Sequence, residues 1–512
     1  MMIARVRLLI AASLAATLLG ACGGGGSTAH PISVGTAPAN TVTAAVRIVG
    51  VGDSLTAGYQ SDGLLGVPTA NPVTGSPFGP YVPPTQENGY WALLWSQANG
   101  GAATGTVSGS PLPLILGPGL GTVLVPNALL APTPITTACG AFNSLGFSYT
   151  TALQTRANPT TTPYDLGIPG QNVHEAFYQT GPESPCSVPA TAPLSGIVSL
   201  VSGESGVYYP IMGNFPTGIT QTQAAASLHT QYATVWLGSN DLLKYTFSLG
   251  LLPATQASAM QADLVKIIQT LQAAGEKVLI ANLVTVLDAA LFTPQPALVP
   301  TLTAEVTAGA TAACANATPA QYATLCGGAT PAFAAQVGAA AGAQVTAAGP
   351  TILAALQSSY GVGPGGYVTL SGIAKILGAF EAHSLTAIAP GGADALGGGD
   401  FVPDALASQV SALNISYNTA IAAAAKQTGA ALVDVNTPVT ALAANPGSVV
   451  PGHCCTLQYG GGFFSLDGLH PSNTGYAVIA NLFIAQMNAS YGTSIPLVNV
   501  AQVYATDPFA PH

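Results

Sequence analysis

Val46-Arg47-Ile48-Val49-Gly50-Val51-Gly52-Asp53-Ser54 is the stretch from which the rest of the chain is read. A short β-branched run closing on Gly-Asp-Ser has the character of a buried strand meeting a tight turn. Residues 164–170, 233–237, 277–281 and 431–435 share that character; the first closes on Pro169-Gly170 and the second runs into Gly238. Helical spacing alternates with these runs. Met260, Leu264, Ile267, Ile268 and Leu271 recur on one face, and Gly275 supplies the stop. Leu406, Val410, Leu413, Tyr417 and Ile421 do the same, with Gly429 beyond them. Strands alternating with helices predict an α/β fold whose central parallel sheet is covered on both faces.

Composition narrows the function classes. The chain has 512 residues, 49% of them hydrophobic, which is ample for a large core. Charged residues make up 5%, against about 25% in an ordinary globular protein. Disorder requires low hydrophobicity and high net charge, so it is excluded. With nine Lys plus Arg and a net charge of −10, the chain cannot build a phosphate-binding surface, so a nucleic-acid partner is not expected. The 60 Gly and 40 Pro imply many loops. They concentrate in two stretches, about 60–156 and 291–403. The first has a helix start at Asn88-Gly89-Tyr90-Trp91; the second has short helices expected near 332–341 and 373–380. No fixed-period repeat is present, so both read as large insertions into one domain spanning 45–490, folded over its surface or acting as lids. Residues 491–512 read as a C-terminal tail.

Arg5 and Arg7 precede an apolar run over 8–21 that is short for a bilayer span but suits a signal peptide. No later stretch reads as a convincing membrane helix. Leu19-Gly20-Ala21-Cys22 resembles the bacterial lipoprotein lipobox. That resemblance implies cleavage after residue 21, lipidation of Cys22, and a flexible tether over 22–44. It implies an extracytoplasmic protein held to a membrane by its lipid. Gly23 stands where the resemblance would place an Asp in a lipoprotein kept at the inner membrane, which implies the outer membrane or cell surface. Six cysteines remain, compatible with up to three disulfides. Cys314 with Cys326 is the expected local bridge, and Cys139 with Cys186 would close a long loop. Cys454 and Cys455 bond either to each other or to distant partners. No CxxC or paired-His spacing points to zinc, so no metal is expected.

The chemistry gathers at strand ends. A serine hydroxyl such as that of Ser54 needs an imidazole to accept its proton. The imidazole needs a carboxylate to hold its tautomer. Asp467-Gly468-Leu469-His470-Pro471 can supply both, because a Gly-containing turn folds the carboxylate back toward the ring. An oxyanion needs aimed donors. Gly170 offers a backbone N–H and Asn240, in Gly238-Ser239-Asn240-Asp241, an amide side chain. Asp53 and Asp241 are expected to bond turn amides. Trp91, Trp95 and Trp236 are expected in the core, and His174 and His453 are the remaining histidines with a place open to them beside the pocket.

In these blocks the chain resembles the SGNH (GDSL-type) hydrolase superfamily. The resemblance covers the core outside the insertions and implies a flavodoxin-like three-layer α/β/α fold. It implies Ser54 as nucleophile, His470 as base and Asp467 as its partner. The Ser54 and Gly170 amides and the Asn240 side chain would form the oxyanion hole, and no cofactor is required. The Gly170 block lacks the Asn that often precedes it, and the interval from Ser54 to Gly170 is longer than in compact members. An α/β-hydrolase elbow, Gly-x-Ser-x-Gly, is excluded because Thr56 stands where the second Gly would be. The expected function is a carboxylesterase or lipase-like ester hydrolase acting on a small-molecule or lipid ester. A carbohydrate O-acetylesterase and a catalytically inactive surface binding module are the alternatives.

Overall fold

The computed structural model describes residues 46–61, 63–70, 81–100, 110–116, 156–181, 208, 210–315, 331–451, 454–508 and 510. The expected signal peptide, tether and Cys22 lie outside these residues, as do Cys139, Cys186, Cys326, His453 and much of the first insertion. The chain opens with β1 (Ile48–Gly52), α1 (Ser54–Ala57), α2 (Tyr90–Asn99), α3 (Val173–Tyr178) and α4 (Gln221–Ser227). Next come β2 (Tyr232–Trp236), α5 (Ser239–Phe247), α6 (Ala257–Ala273) and β3 (Lys277–Ala281). The second insertion holds β4 (Phe292–Pro294), α7 (Gln295–Ala315), α8 (Pro331–Tyr360), β5 (Tyr367–Thr369), α9 (Leu370–Glu381) and β6 (Phe401–Val402). The chain finishes with α10 (Asp404–Thr428), β7 (Ala431–Val433), α11 (Asn436–Ala444), α12 (Asn473–Tyr491) and α13 (Val500–Tyr504).

The main sheet has the order β1-β2-β3-β7, and every pairing is parallel. All five residues of β1 are buried, as expected of a strand covered on both faces. Gly52 pairs with Trp236, Val235 with Ile280 and Ile280 with Leu432, so the carboxyl ends of the strands lie along one edge. Helices α3, α4, α6 and α10 form one packed group, with α6 on β3; α2, α12 and α13 form another, with α12 on β3 and β7. The arrangement is α/β and compatible with three layers.

Residues 164–168 run along the outer side of β1. Gly50 N–H donates to Tyr164 O at 2.9 Å, Leu166 N–H to Gly50 O at 3.0 Å, and Ile168 N–H to Gly52 O at 3.0 Å. A full strand was expected over 164–170, but the segment makes a single bridge, Gly50 with Asp165. The next bridge would need a bond from β1 to the Leu166 carbonyl, but that oxygen accepts from Gln221 Nε2 at 2.5 Å, which also donates to Gly52 O at 2.7 Å.

The second insertion has its own core. Strands β4-β5-β6 form a separate antiparallel sheet. Leu298 and Leu302 of α7, Ile352 and Leu356 of α8, and Ile376 of α9 pack into a cluster distinct from that of the main sheet. Where a short helix was expected near 332–341, α8 runs for 30 residues. Its glycines are contacts, not stops: a Cβ on Gly338 would lie 2.0 Å from Thr311 Oγ1 and 2.5 Å from Thr307 O on α7. By length and composition Ala334–Tyr360 is apolar enough to cross a membrane, contrary to the expectation of no such helix. Here its buried stripe is packed along α7. The insertion touches the main domain at a notable point: Leu291 N–H donates to Gly468 O at 2.7 Å.

Cys454 and Cys455 are bonded to each other through a cis peptide, which settles the open alternative for that pair. Cys314 is disulfide-bonded as well. The segment read as a C-terminal tail packs back on the domain. Asp507 is fully buried and its Oδ2 accepts from both the N–H and the hydroxyl of Thr474, each at 2.7 Å, at the start of α12.

Candidate active site

Ser54 is the first residue of α1, directly beyond the carboxyl end of β1. Asp53 caps this four-residue helix, its Oδ1 accepting from Leu55 N–H at 2.9 Å. As the first helical residue, Ser54 has a backbone N–H with no carbonyl partner inside its own helix.

Asp467 and His470 lie in a turn just before α12. Gly468 N–H donates to Ser465 O at 2.9 Å, and Ser465 N–H to His470 O at 2.8 Å. Asp467 Oδ1 accepts the N–H groups of Leu469 and His470 at 2.8 Å each, which folds the carboxylate back over the ring. Its Oδ2 stands 2.9 Å from His470 Nδ1, and His470 Nε2 stands 2.8 Å from Ser54 Oγ. Three residues separated by up to 416 positions therefore form one hydrogen-bonded chain. Burial pushes the Asp467 carboxyl upward, but the adjacent imidazole and the hydrogen bonds from His470 and Leu469 outweigh it and hold the group below its ordinary value. The Tyr59 ring packs at 4.7 Å, tilted, against the His470 ring.

Asn240 enters from the start of α5, after β2. Its Nδ2 donates to Asp53 Oδ2 at 3.1 Å and to Gln171 O at 3.0 Å. Asp241 Oδ2 accepts Val173 N–H at 3.1 Å, and its Oδ1 accepts the Thr255 hydroxyl at 2.7 Å. The 170–173 loop, which follows the segment bonded to β1, is thus held by Asn240 and Asp241 of α5. Gly170 adopts φ +91° within it, a conformation that favours glycine. Burial pushes Asp53 up to about 7, against smaller opposing effects of the Leu55 hydrogen bond and the His470 charge.

Ser54, Asn240 and His470 line one pocket, which the side chains of Trp236, Leu243, Val286, Phe464, Leu469 and Ile479 make apolar. Gly170 lies outside its lining. Asparagine side chains fix the backbone of one wall. Asn418 Oδ1 accepts Leu283 N–H at 2.7 Å, Asn414 Oδ1 accepts Val286 N–H at 2.9 Å, and Asn436 Oδ1 accepts Thr285 N–H at 3.1 Å.

Other residues fall elsewhere or had no motif to announce them. His174 is paired with Asp263 at 2.9 Å, its side chain 65% exposed, and is not part of the pocket lining. Trp236 is both buried core and pocket wall. Tyr59, the wall asparagines and the second bond of Asp53 had no motif to flag them. Only the adjacency of Asp53 and Tyr59 to Ser54 could have singled them out. Among the described residues no group of three His, Cys, Asp or Glu side chains could hold a metal ion. The chain matches no family model, no curated protein and no solved structure.

Proposed function

We propose that the chain is an extracytoplasmic serine ester hydrolase of the SGNH type, working through an acyl-enzyme on Ser54. The observation that carries this reading is the continuous chain from Ser54 Oγ through both ring nitrogens of His470 to Asp467, at 2.8 and 2.9 Å, opening on a pocket. Ser54 Oγ bonds to the acyl carbon as His470 Nε2 takes its proton, and the carbonyl electron pair moves onto oxygen. Collapse of that intermediate expels the alcohol, which takes the proton from His470. Water repeats the sequence and frees the acid.

The Ser54 amide and the Asn240 side chain are the oxyanion donors of this reading, with the Gly170 amide as the third. Both Asn240 amide hydrogens already have acceptors, so one of these bonds yields or is shared as the oxyanion forms. Counting residues 164–168 as an edge segment beside β1, the sheet order becomes 2-1-3-4-5, which supports a flavodoxin-like arrangement. Ligands in such sheets bind at the carboxyl ends of the strands, where Ser54 and Asn240 stand. A lipid on Cys22 and an oxidising compartment belong to the same reading, and the Cys454–Cys455 bond supports the latter.

Reaction with a fluorophosphonate probe, mapped by mass spectrometry, is expected to place the adduct on Ser54. Ser54→Ala should abolish labelling and cut hydrolysis of p-nitrophenyl butyrate by at least about 10³-fold. Undiminished hydrolysis by that variant would overturn the proposal. The apolar lining favours an uncharged or lipidic acyl group over a glycan O-acetyl ester, and activity confined to acetylated glycans would reverse that preference.

A further inference from the structure

The nucleophile and its base come from opposite ends of the domain, so something must hold them in register. The turn after α1 does so through a feature that no catalytic motif includes. Ser61 is 4% exposed and adopts φ +50°, a left-handed conformation uncommon for a residue with a side chain. Its N–H donates to Ser465 Oγ at 2.9 Å, and its own Oγ accepts Leu466 N–H at 3.1 Å. Ser465, 2% exposed, is the residue whose N–H binds His470 O and whose carbonyl binds Gly468 N–H. Ser61 therefore bonds both Ser465 and Leu466, across 404 and 405 positions, at the root of the turn that carries Asp467 and His470. Two neighbouring contacts run parallel to this clasp. The Tyr59 ring lies against His470, and the Tyr59 carbonyl accepts the Tyr476 hydroxyl at 2.9 Å, tying the same turn to α12.

Glycine would occupy a left-handed position with less strain. A serine there, with its hydroxyl spent on the loop bearing the base, suggests that the side chain is used. We propose that Ser61 and Ser465 are positioning residues that hold His470 Nε2 at bonding distance from Ser54 Oγ. The proposal rests on the ester-hydrolase reading for its kinetic consequence but not for its structural one.

Ser61→Gly is the discriminating variant because it deletes the hydroxyl while relieving the backbone. Turnover on p-nitrophenyl butyrate should fall about tenfold or more, since small misplacements of a catalytic pair are costly. KM should stay within about twofold, the pocket being untouched, and the melting temperature should stay close to that of the parent. Fluorophosphonate labelling of Ser54 should slow by a factor similar to the fall in turnover. Ser465→Ala should give the same kinetic pattern, and the double variant should be little worse than either alone, as expected when both changes break one unit. An independent readout is the downfield proton resonance of His470 Nδ1, which should be sharp in the parent and broadened in Ser61→Gly. Parental turnover and an unchanged resonance in folded Ser61→Gly would overturn the clasp; if that variant fails to fold, Ser465→Ala decides by the same two measurements. A parent that neither hydrolyses esters nor labels at Ser54 would sink the hydrolase reading instead, and the resonance would still test the clasp.

Discussion

Asp53 serves two partners at once. One carboxylate oxygen caps the helix that begins with Ser54, and the other accepts from Asn240. Its removal should therefore loosen the proposed nucleophile, Ser54, and the proposed oxyanion donor, Asn240, together. Asp53→Ala is expected to lower turnover about 10–100-fold in an ester assay, combining a lost helix cap with a mis-set donor. Asn240→Ala removes the donor itself and should cost about 10²–10³ in turnover with little change in KM, checked by steady-state kinetics. At this scale the sequence was legible where partners are close along the chain. Asp467 and His470 are three apart, and the turn between them dictates their contact. The bonds of Asn240 reach across 187 and 69 positions, and those of Ser61 across 404 and 405, so no local pattern could announce them.

At the scale of elements, legibility followed composition. Strands β1, β2 and β3 fall within a residue or two of the short apolar runs read at 46–51, 233–237 and 277–281. Both α6 and α10 end against glycines, Gly275 with φ +98° and Gly429 with φ +73°. In the second insertion the signal fails. Alanine and glycine carry too little contrast between faces for a helical period to show, so a 30-residue helix reads as a shorter one. What holds α8 to α7 is close approach at small residues, which can be tested directly. Gly338→Ala forces a methyl to 2.5 Å from the Thr307 carbonyl and should destabilise the hairpin by about 1–3 kcal/mol. Because that hairpin packs in a separate core, labelling of Ser54 at room temperature should be unaffected while an early calorimetric transition moves down.

Across the whole molecule, a chain so poor in charge buries several of the carboxyls it has. Burial pushes Asp53 and Glu276 up to about 7 and Asp165 up to about 8. Asp165 Oδ2 is buried without a hydrogen-bond partner, and the single Gly167 N–H on Oδ1 does not offset the cost of burying the charge. In the unfolded chain these acids ionise near pH 4. Between that value and their folded values the native state holds more protons, so raising the pH costs stability. The midpoint of thermal unfolding should rise by several degrees as the pH is lowered from 8 to 5, measured by differential scanning calorimetry. Asp467 and Asp434 have the opposite sign. Held below their ordinary values, they lose their contribution only below about pH 4. A midpoint that falls steadily from pH 8 to 5 would contradict the burial of these groups.

The long reach between Ser54 and His470 has a consequence for the timing of activity. A ribosome adds the imidazole 416 residues after the hydroxyl, and α12, which follows it, is secured by Asp507 later still. A half-made chain thus holds an unarmed serine. On the proposed reading, reactivity toward esters arises only after the turn bearing His470 has been made and folded against Ser54, so translation arrested before His470 would leave a latent product that cannot attack the cell making it.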